Sequence, residues 1–195
     1  MSFTDRFKTR PLSWSQLSTF AYNKDDWYKR YVLNEADPPN AAMLYGSVVG
    51  DSIGTEKSMV PTLVPAGVKE YELRGNIDKI HMVGFADHYC PNTLVLNENK
   101  TTDKPNKWNQ KSVDQHGQLT MYALLLFLQD RVKPETVTMY LNYIPVEVGN
   151  DFIYRLPDPP TYTAIPTKRT TLDILNFITY VQKTVVEMEA FANSK

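Results

Sequence analysis

Hydrophobic and polar positions change period several times along the chain. Between residues 12 and 33, Leu17, Phe20, Trp27 and Tyr31 fall near one helical face, and Ser13 followed three residues later by Gln16 has capping-box spacing. Asp37-Pro38-Pro39-Asn40 breaks the pattern. A second helix is predicted over residues 42–57, with Gly46, Gly50 and Gly54 aligned on one face where they permit close backbone approach. After a loop at 61–67, three stretches rich in β-branched and aromatic residues (69–74, 77–89 and 93–100) are separated by Gly75-Asn76 and Pro91-Asn92, which read as turns. They predict a three-stranded antiparallel meander. Residues 112–130 form the strongest helical pattern, opened by Ser112 with Gln115 in capping-box spacing and apolar on all sides from Met121 to Leu128, as a deeply buried helix requires. A strand at 136–146, paired with 151–156, a proline-rich connector at 157–166 and an amphipathic helix at 171–192 complete the chain. The order predicts a mixed α/β sheet core with flanking helices.

Composition narrows the class. The 195 residues suffice for one domain with a substantial core, and 42% hydrophobic with 12% aromatic residues describe a globular chain. No apolar run is long enough to cross a bilayer, and the first residues lack a signal-peptide core. Cys90 is the single cysteine, which excludes an internal disulfide and a cysteine-bound zinc or iron–sulfur centre, and points to a reducing, cytoplasmic setting. The net charge of −1 argues against a generally basic nucleic-acid binder. Positive charge is nonetheless concentrated. Lys100, Lys104, Lys107 and Lys111 face Asp103 alone over residues 100–111, and six basic residues face three acidic ones over residues 1–31. These zones read either as the two sides of one groove or as ordinary solvated surface.

The chemistry is concentrated at the end of an apolar strand, Leu94-Val95-Leu96-Asn97-Glu98-Asn99-Lys100. Alternation puts Glu98 and Lys100 on the face that carries Leu94 and Leu96. Asp87 ends the preceding strand eleven positions upstream. Two carboxylates converging from adjacent strands suit a divalent ion, and a lysine on the same face suits a phosphate or an attacking water. Alone, Glu-x-Lys also describes a solvent-facing ion pair. One helical turn separates Gln118 from Tyr122, so they share a face and need polar partners where that face is buried. His88 lies on the opposite strand phase from Asp87, His81 is six residues away from it, and His116 reads as a surface residue or a phosphate contact. Trp14, Trp27 and Tyr28 read as core. Trp108, within the lysine-rich stretch, is a candidate to stack on a base while Lys104, Lys107 and Lys111 track phosphates.

Four segments together resemble the RecB-like branch of the PD-(D/E)XK nuclease superfamily: Leu12-Ser13-Trp14-Ser15-Gln16-Leu17-Ser18-Thr19-Phe20, Leu44-Tyr45-Gly46-Ser47-Val48-Val49-Gly50, Gly84-x-x-Asp87 with Glu98-x-Lys100-Thr101, and Gln118-x-x-x-Tyr122. They occur in the family's order over residues 12–122. The resemblance implies a restriction-endonuclease-like αβββαβ core with extra N- and C-terminal helices. It also implies a metal-dependent deoxyribonuclease acting on single-stranded DNA or duplex ends. In that reading Asp87, Glu98 and the Asn99 carbonyl hold Mg²⁺ or Mn²⁺, Lys100 assists the attacking water, and Gln118 and Tyr122 border the site. A helicase or recombination protein is an implied partner, and no iron–sulfur cluster is expected. Many relatives carry a metal-binding histidine where this chain has Gly50, which makes Asp51 a candidate substitute ligand. It also opens the alternative of a catalytically weakened module that binds nucleic acid or protein.

Overall fold

The computed structural model describes residues 3–195. A short 3₁₀ turn and α1 (Arg6–Thr9) precede α2 (Trp14–Tyr22), α3 (Lys24–Trp27) and a π-helical turn at Tyr28–Leu33; α4 (Ala41–Ser52) follows. Next come β1 (Val68–Ile77), β2 (Ile80–Cys90), β3 (Val95–Thr102), α5 (Gln110–Asp114), α6 (Gly117–Asp130), β4 (Thr138–Pro145), β5 (Glu147–Val148), β6 (Tyr154–Arg155), β7 (Thr163–Thr167) and α7 (Thr171–Asn193). The five-stranded sheet has the order β1-β2-β3-β4-β7, antiparallel except for the parallel β3–β4 pair, which the α5–α6 crossover connects. The mixed α/β architecture and the antiparallel meander are as the pattern predicts.

Several boundaries differ from the sequence reading for local reasons. The single helix expected over residues 12–33 is divided at Asn23, whose side chain accepts from the Asp25 and Asp26 amides and starts a new helix. The helix expected over 42–57 stops at Ser52, and Gly54 turns the chain at φ +78°. Gly75-Asn76 is not a turn. Gly75 lies inside β1, where an added Cβ would sit 2.7 Å from Leu128 of α6, and the β1–β2 turn falls at Asp78-Lys79. The 112–130 helix is two helices. Asn109 and Ser112 cap α5 reciprocally, and α6 starts afresh after His116. The 157–166 connector contains edge strand β7, and β4 pairs with it and with β3, while residues 154–155 pair with 147–148 in a separate hairpin.

Helices α2, α6 and α7 cover one face of the sheet around Phe20, Leu96, Leu124, Leu141 and Val181, and α4 covers the other around Val49, Ile53, Leu63 and Ile144. Arg169, 2% exposed, ties β7 to the α5–α6 junction. Its guanidinium donates to Thr120 Oγ1, Thr167 Oγ1 and the carbonyls of Val113, His116 and Lys168 at 2.6–3.2 Å. A buried cation is tolerable when its donors are satisfied in this way.

Candidate active site

The β2–β3 ladder stops at the His88–Asn97 pair, and beyond it the two strands fork. Asp87 sits in the fork, where its Oδ2 accepts the Asn99 amide at 2.6 Å in place of a ladder partner. An extended residue points its N–H and C=O to the same side, so the Asn99 carbonyl also faces the fork. Side-chain alternation slips by one residue at this point. Ala86 and Tyr89 both join the α6-side core, whereas the His88 ring lies under Gly54 on the α4 side. The same slip occurs opposite, at Glu70, with φ +51°. Tyr71 packs on Tyr89 at the α6 face, while Lys69 donates to the Asp51 carbonyl at the end of α4. Glu70 and Asp87 are in register but form no ladder pair.

Other groups close the fork and satisfy its backbone. Leu12 pairs with the free edge of β2, its N–H donating to His81 O at 2.8 Å and its carbonyl accepting from Val83 N at 3.0 Å. The Tyr122 hydroxyl donates to Phe85 O at 2.6 Å, lies 3.3 Å from Glu98 Oε2 and accepts from Gln118 Nε2 at 2.6 Å. A hydroxyl has one proton, so the shorter Phe85 bond takes most of it. Gly84 makes this possible, since a Cβ there would fall 2.8 Å from the Tyr122 ring. On β3, the 3% exposed Glu98 side chain accepts from Lys100 Nζ at 2.5 Å, and Lys100 is 32% exposed towards the cleft.

Asp87, Glu98 and Lys100 are therefore brought together, with Asn99, Gln118 and Tyr122 around them. Burial first, and then the charge of Glu98, push the Asp87 carboxyl up to about 7. Burial works against the Lys100 ammonium, but Glu98 and Asp87 outweigh it and raise its pKa. Burial also holds Tyr122 well above the usual tyrosine range. A cleft of about 690 Å³ opens here, lined by Ser15 of α2, Ser47, Gly50 and Asp51 of α4, Lys69 and Glu70 of β1, and the fork residues. Glu70, Ser15, Ser47 and Lys69 were not singled out from the sequence. Their signal was hidden in the phase slip and in contacts between distant segments.

Among the described residues, no three His, Cys, Asp or Glu side chains are grouped as a metal cage. Asp51 lines the cleft without joining the Asp87–Glu98 pair in such a group. The pair is still a suitable donor set for a hard divalent ion. Two mutually repelling carboxylates and a main-chain carbonyl leave positions for water and phosphate, which Mg²⁺ retains in its shell. His116 is not a surface residue. Its ring packs 5.1 Å from Trp108 and 6.3 Å from Trp14, and burial followed by the charge of Lys100 lowers its pKa to about 4. Trp108 packs against the main core beside it, with its indole nitrogen buried. Lys104, Lys107 and Lys111 are exposed. Trp14, Trp27 and Tyr28 pack in or against the main core.

Asp87 makes stability depend on pH. Without metal, the folded protein keeps this proton to about pH 7, whereas the unfolded chain releases it near 3.8. The folded state thus binds the extra proton within that window, and its stability falls as pH rises through it. Chelated protein is expected to melt at a higher temperature at pH 5 than at pH 8, and Asp87→Asn to flatten the difference. An identical pH dependence in both proteins would show that Asp87 is not the group responsible.

The mixed sheet with a forked antiparallel pair, flanked by helices on both faces, is a fold found in solved proteins. Several solved structures share it. A protein from Eubacterium rectale assigned as an exonuclease superposes with a TM-score of 0.63 at 13% identity, over 98% of this chain and 84% of that one. LHK-Exo, an alkaline exonuclease from Laribacter hongkongensis, gives 0.54 at 15% identity, over 97% and 94% of the two chains. A phage-related exonuclease from Haemophilus somnus 129PT gives 0.55 at 12% identity, over 87% and 79%. No family model matches the sequence, and no curated protein matches it in sequence. Among the described residues, no helix is long and apolar enough to cross a membrane.

Proposed function

We propose that the protein is a divalent-metal-dependent nuclease that hydrolyses phosphodiester bonds in DNA. The observation that carries this reading is the convergence of Asp87, Glu98 and Lys100 at the β2–β3 fork, in a fold shared with exonucleases, one of which is LHK-Exo in complex with dAMP. Asp87, Glu98 and the Asn99 carbonyl would hold Mg²⁺ or Mn²⁺, which when bound neutralises phosphate charge and acidifies a water molecule. Lys100, anchored through one N–H to Glu98, presents its remaining N–H groups to the phosphate or the attacking water. Tyr122 holds the Glu98 side of the fork in place, and Gln118 orients the Tyr122 hydroxyl. Glu70 and Asp51 at the cleft wall add negative charge that favours cation entry, and Ser15, Ser47 and Lys69 offer donors to a phosphate backbone.

The test is incubation of labelled single-stranded and duplex DNA with purified protein in Mg²⁺, Mn²⁺ or chelator. Cleavage is expected with either metal and none with chelator. Cleavage that persists in chelator, or wild-type protein inert on every substrate, would overturn the proposal, the latter in favour of a binding module.

A further inference from the structure

The cleft does not end at Lys100. A second, narrower cavity of about 160 Å³ continues it past Thr101, sharing Ala42 and Thr101 as common walls. One side is Tyr45 of α4 stacked on Tyr154 of the β5–β6 hairpin, with ring centroids 6.0 Å apart and planes at 30°. The other side is the chain after β3, with Asp103, Lys104 and Lys107. The hairpin lies outside the main sheet and is held over this passage by its contact with α4.

Two properties of the passage point to its occupant. Lys104 and Lys107 are exposed, and among the described residues neither is in an ion pair, with Asp103 the one acidic residue in the lining. Arg155 and Asp151 of the hairpin form an ion pair, which leaves the exposed Glu147 of β5 as the hairpin's remaining charge. Lysines opposite an aromatic pair match a sugar-phosphate backbone on one side and unpaired bases on the other. A cavity of about 160 Å³ is too small to admit a paired helix.

We propose that the β5–β6 hairpin, Tyr45 and the Lys104–Lys107 segment form a track for a single DNA strand leading to or from the fork. The track rests on the nuclease reading for its purpose, but its binding is measurable without cleavage. Phosphates run along Lys104 and Lys107, and a base packs against the Tyr45–Tyr154 stack. The hairpin thus favours a single strand over a duplex at this end of the cleft. Trp108, beside the passage, supports His116 with its ring and receives Lys107 Nζ 5.2 Å from its centroid.

The test is fluorescence anisotropy of labelled oligothymidine and of a blunt duplex of the same length, in chelator, across a salt series. Joint Lys104→Ala and Lys107→Ala substitution is expected to weaken oligothymidine binding and to reduce the steepness of its salt dependence by about 1–1.5 log units per log unit of salt. The joint Lys→Arg variant should retain the steepness. Tyr154→Ala is expected to weaken binding by about 5-fold or more with the salt dependence unchanged. Unchanged affinity and steepness in the double lysine variant would overturn the track, as would an equal loss on the duplex. Because these readings are taken without metal, a protein that binds in this way but never cleaves would sink the nuclease reading and leave the track standing. A protein that cleaves but binds indifferently to these changes would do the opposite.

Discussion

Lys100→Met is expected to reduce single-turnover cleavage by about 10²–10³-fold at saturating metal, the usual cost of losing one preorganised donor to developing charge. The substitution keeps the aliphatic stem and removes the ammonium. Glu98 then loses its closest partner, although the Tyr122 hydroxyl remains 3.3 Å away. Removing one member of a fully buried pair costs about 3–5 kcal/mol, but solvent reaches the 32% exposed Lys100, so a loss of about 1–2 kcal/mol is expected here. Lys100→Arg separates charge from shape. It restores the cation but not the compact geometry, and should recover stability better than rate. Thermal melts beside quench-flow rates would check this. A Lys100→Met protein that cleaves at the wild-type rate would remove Lys100 from the reaction.

Gly84→Ala is expected to destabilise the fold by about 1–3 kcal/mol, the typical cost of overpacking, and to slow cleavage although no charged group changes. The new methyl would meet the Tyr122 ring at 2.8 and 3.0 Å and Leu125 at 3.2 Å, in a core with no slack. Tyr122 would have to withdraw, taking its hydroxyl from Phe85 O and Glu98. Gly50→Ala is the contrast. It lies within α4 with nothing within 4 Å of the added Cβ, and should stabilise by about 1 kcal/mol from helix propensity. Denaturant melts of the two variants should move in opposite directions. A Gly84→Ala protein as stable and active as wild type would show that Tyr122 does not need this space.

The central features of the site were legible because they are local. Strand alternation alone places Glu98 and Lys100 on one face, and the resemblance at Gly84-x-x-Asp87 pointed to the strand that joins them. Gln118 and Tyr122 were legible as a helix face in need of polar partners, but not that one partner is a main-chain carbonyl, Phe85 O. Other elements escaped because their cause is tertiary. Gly75 reads as a turn in sequence, yet it is a vacancy in β1 fitted to Leu128. Edge strand β7 contains Pro166, and its identity comes from pairing with β4 rather than from propensity. Glu70 sits in an unremarkable run, and only the slip in alternation marks it.

Leu12, which covers the free edge of β2, ties the centre to the order in which the chain folds. Asp87 and Glu98 are brought together by a short hairpin, a closure of low entropic cost that a nascent chain can make early. Leu12 reaches its partner Met82 across about seventy residues, and Tyr122 belongs to a helix made later still. The carboxylates can therefore meet before their surroundings exist, with Glu98 still open to water and its charge cheap to hold. Desolvation of Glu98 depends on closures made by segments distant in sequence, Leu12 over β2 and α6 through Tyr122. Burying the Glu98 charge, a costly electrostatic step, therefore rests on long-range packing rather than on the local hairpin that brings the carboxylates together.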